Sequence, residues 1–248
     1  MKISPYLLAI ATAVLIAAPN TLLAAYNHAW NQHKIIDLLA DGLGAWENTD
    51  GWKTGGKVTV NPKNKRELLI VEPGEAIAVV EKKSRAAYLL SKELHSDIAA
   101  AVEFMVPRGS NSGIYFMGRY EIQILDSFGK TNVEFKDCGG IYRRRGPNPN
   151  QGHPPRVNAS TAPGTWQKFE IIFRGPRFDE SGKKVESARF VKVVHNGQLI
   201  HQNVEVPGPT VAAMQENQPE AAMGPIRIQG DHGPVAFRTF KIEHLELE

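Results

Sequence analysis

An all-β fold of two packed antiparallel sheets is the class this sequence predicts, and three observations predict it. The chain holds 22 glycines and 16 prolines in 248 residues, above ordinary usage and rich in turns. Its apolar residues come in short runs that often alternate with polar ones, without long helical periods. Those runs end at Gly, Pro or Asn, which punctuate strands. Sandwiches of roughly 200–250 residues commonly form one domain. Hydrophobic residues at 42% and charged residues at 22% exclude a disordered or collagen-like chain.

The elements follow in chain order. Lys2 is the sole charge before Lys34, and Tyr6 to Ala18 is a continuous apolar run closed by Pro19 and then Ala24-Ala25. A charged start, an apolar middle and a small-residue exit describe a secretory signal peptide. Residues 1–25 are therefore expected to be removed, leaving 26–248 as a single domain that is secreted or periplasmic. The apolar run falls short of the roughly 20 residues a membrane helix needs, and no later segment spans a bilayer. A short helix is anticipated at Ile35–Leu39 or within Val211–Ala222. Strands are read at Asp97–Val106, Gly113–Met117, Tyr120–Leu125 and Trp166–Phe173. Arg189–Ile200 reads as a hairpin, because its Asn196-Gly197 pair suits a turn with two positive φ angles. Pro225–Gln229 and Val235–Glu243 complete the set, around the loop Gly230-Asp231-His232-Gly233-Pro234.

Charge and cysteine content narrow the partners. A formal charge of +3 gives no argument for nucleic acid. Arg143-Arg144-Arg145 precedes Gly146-Pro147-Asn148-Pro149-Asn150, and reads as an exposed basic loop more readily than as an anion clamp. Cys138 is the single cysteine, so no internal disulfide forms. It lies too far from the leader to anchor a lipoprotein.

Three segments could carry chemistry. In Tyr120–Asp126, alternation puts Glu121 and Gln123 on one face and Tyr120, Ile122 and Ile124 on the other. Asp126 falls on the opposite face from Glu121 unless a β-bulge turns it back. Two carboxyls about 5–5.5 Å apart would suit retaining glycoside cleavage. A solvated Glu121 paired with Arg119 is the plainer reading. The second segment is Gln229–Pro234, where His232 could move protons or join Asp231 around a metal, although Gly-Asp-His-Gly-Pro also makes an ordinary turn. The other histidines, His28, His33, His95, His153, His195, His201 and His244, show no ligand spacing and read as surface residues. The third is Asn111-Ser112-Gly113, whose polar groups match sugar hydroxyls. Tyr115, Tyr142, Trp30, Trp46, Trp52 and Trp166 could stack on a sugar, but more of them should be core.

Together Asn111–Phe116, Gly118–Ser127, Gly140–Tyr142, Pro163–Trp166, Val194–Gly197 and Gly224–Arg238 resemble the 3-keto-disaccharide hydrolase domain family. Ile36–Leu43 and Trp46 resemble its opening, although Leu39 and Ala40 depart from the usual Leu-Phe pattern and the usual Lys is missing. The resemblance implies a concanavalin A-like jelly-roll β-sandwich and action on glycosides with a ketone at C3. It also likens Glu121–Gln123–Asp126 to the Glu-x-Asp-x-x-Glu strand of laminarinase-type β-glucanases, with Gln123 in place of the middle acid. A C3 ketone acidifies the C2 hydrogen, so elimination followed by hydration is an alternative route. That chemistry and the motif positions make Glu121 the candidate catalytic base or metal ligand, with Asp126 or His232 as its catalytic partner. Asn111, Tyr115, Arg119, Gln123, Tyr142, Gln229 and Arg238 would bind substrate. A divalent cation, if used, has Glu121, Asp231 and His232 as candidate ligands. The expected partner is a small sugar or oligosaccharide. The alternatives are a non-catalytic carbohydrate-binding module on the same scaffold and an ordinary glucanase with a long cleft.

Overall fold

The computed structural model describes residues 34–144 and 152–248. The expected leader, Trp30, His28, His33 and Arg145 lie outside the described residues. Fifteen strands form among those residues, and no helix does. They are β1 (Ile36–Asp37), β2 (Trp46–Glu47), β3 (Lys53–Val60), β4 (Leu68–Val80), β5 (Leu89–His95), β6 (Ile98–Met105), β7 (Asn111–Phe116) and β8 (Tyr120–Leu125). After them come β9 (Gln167–Arg174), β10 (Arg177–Phe178), β11 (Lys184–Glu186), β12 (Ala188–His195), β13 (Gln198–Val206), β14 (Gly224–Ile228) and β15 (Val235–His244).

One sheet runs β13–β12–β9–β6–β15–β4–β3, with β1 added beside β15. The other runs β2–β5–β14–β7–β8, and β10–β11 is a separate ribbon. The paired strands are antiparallel. The last strands of the chain are central: β14 lies between β5 and β7, and β15 between β4 and β6. This is the all-β jelly-roll sandwich expected.

Period-2 patterning builds the core. Ile114, Phe116, Ile122, Ile124, Ile226 and Ile228 of the five-stranded sheet are fully buried, as are Phe104, Phe169, Phe173, Phe190, Phe237 and Phe240 of the eight-stranded sheet. Phe116 bridges the layers, with its ring 5.1 Å from Phe173 and 5.5 Å from Phe190. Cutting such a ring to a methyl group typically costs about 3–5 kcal/mol. The Asn196-Gly197 turn forms as read, with φ of 49° and 80°, between β12 and β13.

Two expectations need correction. Neither anticipated helix forms: Ile36–Asp37 pairs with β15 instead, and residues 211–222 form turns around other loops. His95, His195 and His201 are buried rather than on the surface, and burial holds all three imidazoles down at about 4. Trp46 and Trp52 are core. The sequence reading also passed over β3, β4 and β5. β3 and β4 carry Gly55-Gly56 and Pro73-Gly74 in their middles, where the register shifts; such irregular positions interrupt the strand signal.

Candidate active site

The site begins with the register of the five-stranded sheet. Arg227 of β14 pairs with Tyr115 of β7, and Tyr115 pairs with Glu121 of β8. In the next row Gly113 pairs with Gln123, and the Gln229 N–H donates to the Gly113 carbonyl at 3.0 Å. The intervening row, Ile228–Ile114–Ile122, faces the core. One parity of three strands therefore carries Asn111, Tyr115, Glu121, Gln123 and Arg227 on the face turned away from the core.

Two loop segments cover part of that face, so that Glu121 and Gln123 are buried while Asn111 and Arg227 stay half-buried. Residues 139–142 run alongside β8: Gln123 N–H donates to Gly140 O at 2.9 Å, and Tyr142 N–H to Glu121 O at 3.1 Å. The Glu121 N–H donates to Thr210 Oγ1 at 3.0 Å, which ties residues 210–214 to the start of the same strand. The two covers meet where Val211 N–H donates to Arg143 O at 3.1 Å. A third loop arrives from the end of β14. Ser112 Oγ donates to Gln229 O at 2.8 Å, and Ser110 Oγ to Pro234 O. A Cβ on Gly233 would lie 2.5 Å from Ser110 Oγ, so this loop packs tightly and presents His232.

These walls enclose a hollow of about 150 Å³, lined by Tyr88, Asn111, Tyr115, Glu121, Gln123, Tyr142, Arg143, Val211, Ala212, Gln229 and His232. Glu121 is only 3% exposed. A Cβ on Gly113 would lie 2.2 Å from its Oε1, so glycine is what leaves room for the carboxyl. Burial pushes the Glu121 carboxyl up to about 8, against the opposing pull of the Tyr115 hydroxyl and the Arg227 guanidinium. Glu121 thus holds its proton at neutral pH, as buried carboxyls in apolar surroundings do. Arg227 is itself fixed: its guanidinium lies 3.7 Å from the centre of the Tyr88 ring and 4.9 Å from that of Tyr115, and it donates to Ala212 O at 3.0 Å.

Acceptors without donors remain on the walls. Asn111 Oδ1 and Gln229 Oε1 are buried and have no hydrogen-bond partner among the described residues, while Gln229 Nε2 donates to Tyr88 Oη at 3.1 Å. His232 Nδ1 bonds Asp231 Oδ1 at 2.6 Å, which orients the ring.

Of the residues anticipated from sequence, Glu121, His232, Asn111, Tyr115, Gln123, Tyr142 and Gln229 line one hollow. Asp126 does not join them. β7 and β8 pair in unbroken register, so no bulge turns it inward, and its Oδ2 accepts from Gly109 N–H at 2.8 Å. A close pair of carboxylates flanking the hollow is therefore not formed. Arg119 does not pair with Glu121; it donates to Gln218 O at 3.2 Å and Pro219 O at 2.8 Å. Arg238 lies on the other sheet, bonded to Glu103 at 3.0 Å with its guanidinium 4.6 Å from the centre of the Trp166 ring. Among the described residues no three His, Cys, Asp or Glu side chains stand close enough to hold a metal ion, so Glu121, Asp231 and His232 do not form the cation site considered for them. Sequence reading missed Tyr88 and Arg227, and took Arg143 for part of an exposed basic loop, with an anion clamp as the second reading. Arg227 had a signal, since it shares strand parity with Gln229. Tyr88 had none.

The fold and site together define a jelly-roll sandwich with a small polar hollow on its five-stranded sheet, walled by amide groups, a protonated carboxyl and an imidazole. The chain belongs to the 3-keto-alpha-glucoside-1,2-lyase-like domain family, which it matches over residues 38–243. It is similar to three crystal structures of candidate glycosyl hydrolases from Parabacteroides distasonis ATCC 8503. The first is 24% identical with a TM-score of 0.61, covering 85% of this chain and 84% of that one. The second is 17% identical with a TM-score of 0.52, covering 86% and 100%. The third is 14% identical with a TM-score of 0.51, covering 88% and 97%. No curated protein matches.

Proposed function

We propose that this protein is an exported enzyme that cleaves the glycosidic bond of 3-keto-glycosides by elimination and hydration. The observation that carries the reading is the hollow itself, which brings Glu121 and His232 together with the unpartnered oxygens of Asn111 and Gln229. Its volume of about 150 Å³ falls below the roughly 300–1,000 Å³ of pockets for drug-sized ligands. One sugar ring suits it, and a long polymer cleft does not. That argues against an ordinary glucanase.

Glu121 and His232 divide the acid and base roles. His232, oriented by Asp231, removes the C2 proton that the C3 ketone acidifies. The electron pair left at C2 moves into an enolate. The C1–O bond then breaks, and the Glu121 proton passes to the departing oxygen. Water next adds to the C1=C2 bond of the enone: its hydroxyl goes to C1, its proton to Glu121, and the proton on His232 returns to C2. Both groups regain their starting states, and the net change is hydrolysis. Amides of Asn111, Gln123 and Gln229 hold sugar hydroxyls, with Tyr115 and Tyr142 against the ring. The C3 oxygen needs donors in the enolate, and the Gln123 amide is within the same wall. Asp126, Arg119 and Arg238 take no part. Export rests on the leader read at residues 1–25.

The test is incubation of purified protein with a 3-keto-disaccharide and with its unoxidised parent. Release of 3-keto-glucose from the first alone is the expected result. Binding of either sugar without turnover would make the protein a carbohydrate-binding module instead.

A further inference from the structure

Among the described residues, Arg143 is the one cation on the walls of the hollow that the catalytic reading leaves without work. It is half-buried, and its guanidinium makes no hydrogen bond or ion pair with any described residue. The other described arginines without a side-chain partner, Arg66, Arg85, Arg108 and Arg156, are all exposed. Arg143 therefore forgoes part of its hydration without a compensating charge, which is unfavourable.

Its position is fixed by the backbone: Val211 N–H donates to Arg143 O at 3.1 Å, and the adjacent Tyr142 is tied to Glu121 O. Among the described residues no carboxylate in the hollow answers it: Glu121 is the only acidic side chain among them that lines the space, and it faces Tyr115 and Arg227 and stays protonated at neutral pH. Asp231 is bound to His232. A neutral sugar could give Arg143 hydroxyl acceptors but no negative charge. The planar guanidinium fork matches a carboxylate or a phosphate, which it can engage with two parallel hydrogen bonds.

We infer that Arg143 forms an anion subsite on the wall of the hollow, so that the sugar taken there carries a carboxylate or phosphate group. This rests on the reading of the hollow as a sugar site and adds the chemical class of the sugar. The basic run read from sequence as an exposed loop then contributes, through its first member, a recognition element.

Equilibrium titration of the full protein at low salt with glucose, glucuronate, glucose 6-phosphate and glucose 1-phosphate tests it without turnover. At least one anionic sugar binds about tenfold tighter than glucose, the order one charge-assisted contact supplies. The glucuronate and phosphate arms distinguish the two anions. Arg143→Gln brings the anionic and neutral affinities together, while Arg108→Gln at an exposed site keeps the preference. Equal affinities for all four sugars in the wild type overturn the subsite, as does a preference that survives Arg143→Gln. Failure to cleave 3-keto-glycosides, with the anion preference intact, overturns the catalytic proposal and leaves this one standing. Absence of binding by every one of the four sugars overturns the subsite and leaves the catalytic proposal to its own test.

Discussion

The two sheets each place an arginine, a glutamate and their neighbours on the face turned away from the core, and they use them in opposite ways. On the eight-stranded sheet Glu103 accepts from Arg238 at 3.0 Å and from Thr239 at 2.6 Å, and Lys168 pairs with Glu170 at 2.9 Å. Those groups meet water and satisfy one another. On the five-stranded sheet the row Arg227–Tyr115–Glu121 has the same alternation, but residues 139–144 and 210–214 lie over it. Covering the row turns an ordinary solvated glutamate into a carboxyl held protonated to about 8, whereas Arg238 first, with Thr239, holds Glu103 below its usual range. The lesson is that the strand pattern supplies the functional groups and the loops above it set their chemistry.

The largest effect expected separates the two catalytic roles. Glu121→Gln should lower turnover of a 3-keto-glycoside by about 10²–10⁴ while leaving exchange of the C2 hydrogen with deuterated solvent, because His232 remains. His232→Ala should abolish that exchange. Loss of exchange in Glu121→Gln with its retention in His232→Ala would reverse the assignment.

The next effect concerns stability. Glu121 releases its proton near 4.5 in the unfolded chain and at about 8 in the folded one. On raising the pH the unfolded state therefore ionises first and is favoured, so the wild type loses stability between about pH 4.5 and 8. Glu121→Gln does not titrate. Denaturant titrations should show it matching the wild type near pH 4 and exceeding it above pH 8, by an order of a few kcal/mol. A flat difference across that range would show that Glu121 ionises freely.

The smallest effect lies on the other sheet and has the opposite sign. Glu103 is lowered, so its contribution is present above its unfolded value and lost as pH falls through its folded one. Because the pair is partly exposed, Glu103→Gln should cost under about 1 kcal/mol at pH 7, vanish in acid, and leave turnover unchanged. A loss of several kcal/mol would place Glu103 in the same solvent-excluded class as Glu121.

Much of this was legible before any coordinates. Tyr120–Leu125 alternates so regularly that Glu121 and Gln123 had to share a face opposite Ile122 and Ile124, and Asn196-Gly197 announced its hairpin. The same alternation, taken strictly, put Asp126 on the far side, where it is found bonded to Gly109. Arg119, Arg143 and Tyr88 were not legible, since loops place them, and a loop's path depends on distant partners such as Thr210 and Val211. The buried His95, His195 and His201 escaped for a related reason: a lone histidine has no spacing to mark it as core.

The sequence by itself determined which residues share a strand face, because the period of two is a local property of extended backbone. It therefore determined the apolar core and the candidate acid. Only the tertiary structure decided that Glu121, His232 and Arg143 border one small space. That outcome depends on strands β7, β8 and β14 meeting across more than 100 residues of chain and on loops that lie over them, and no local pattern encodes which distant loop covers a strand.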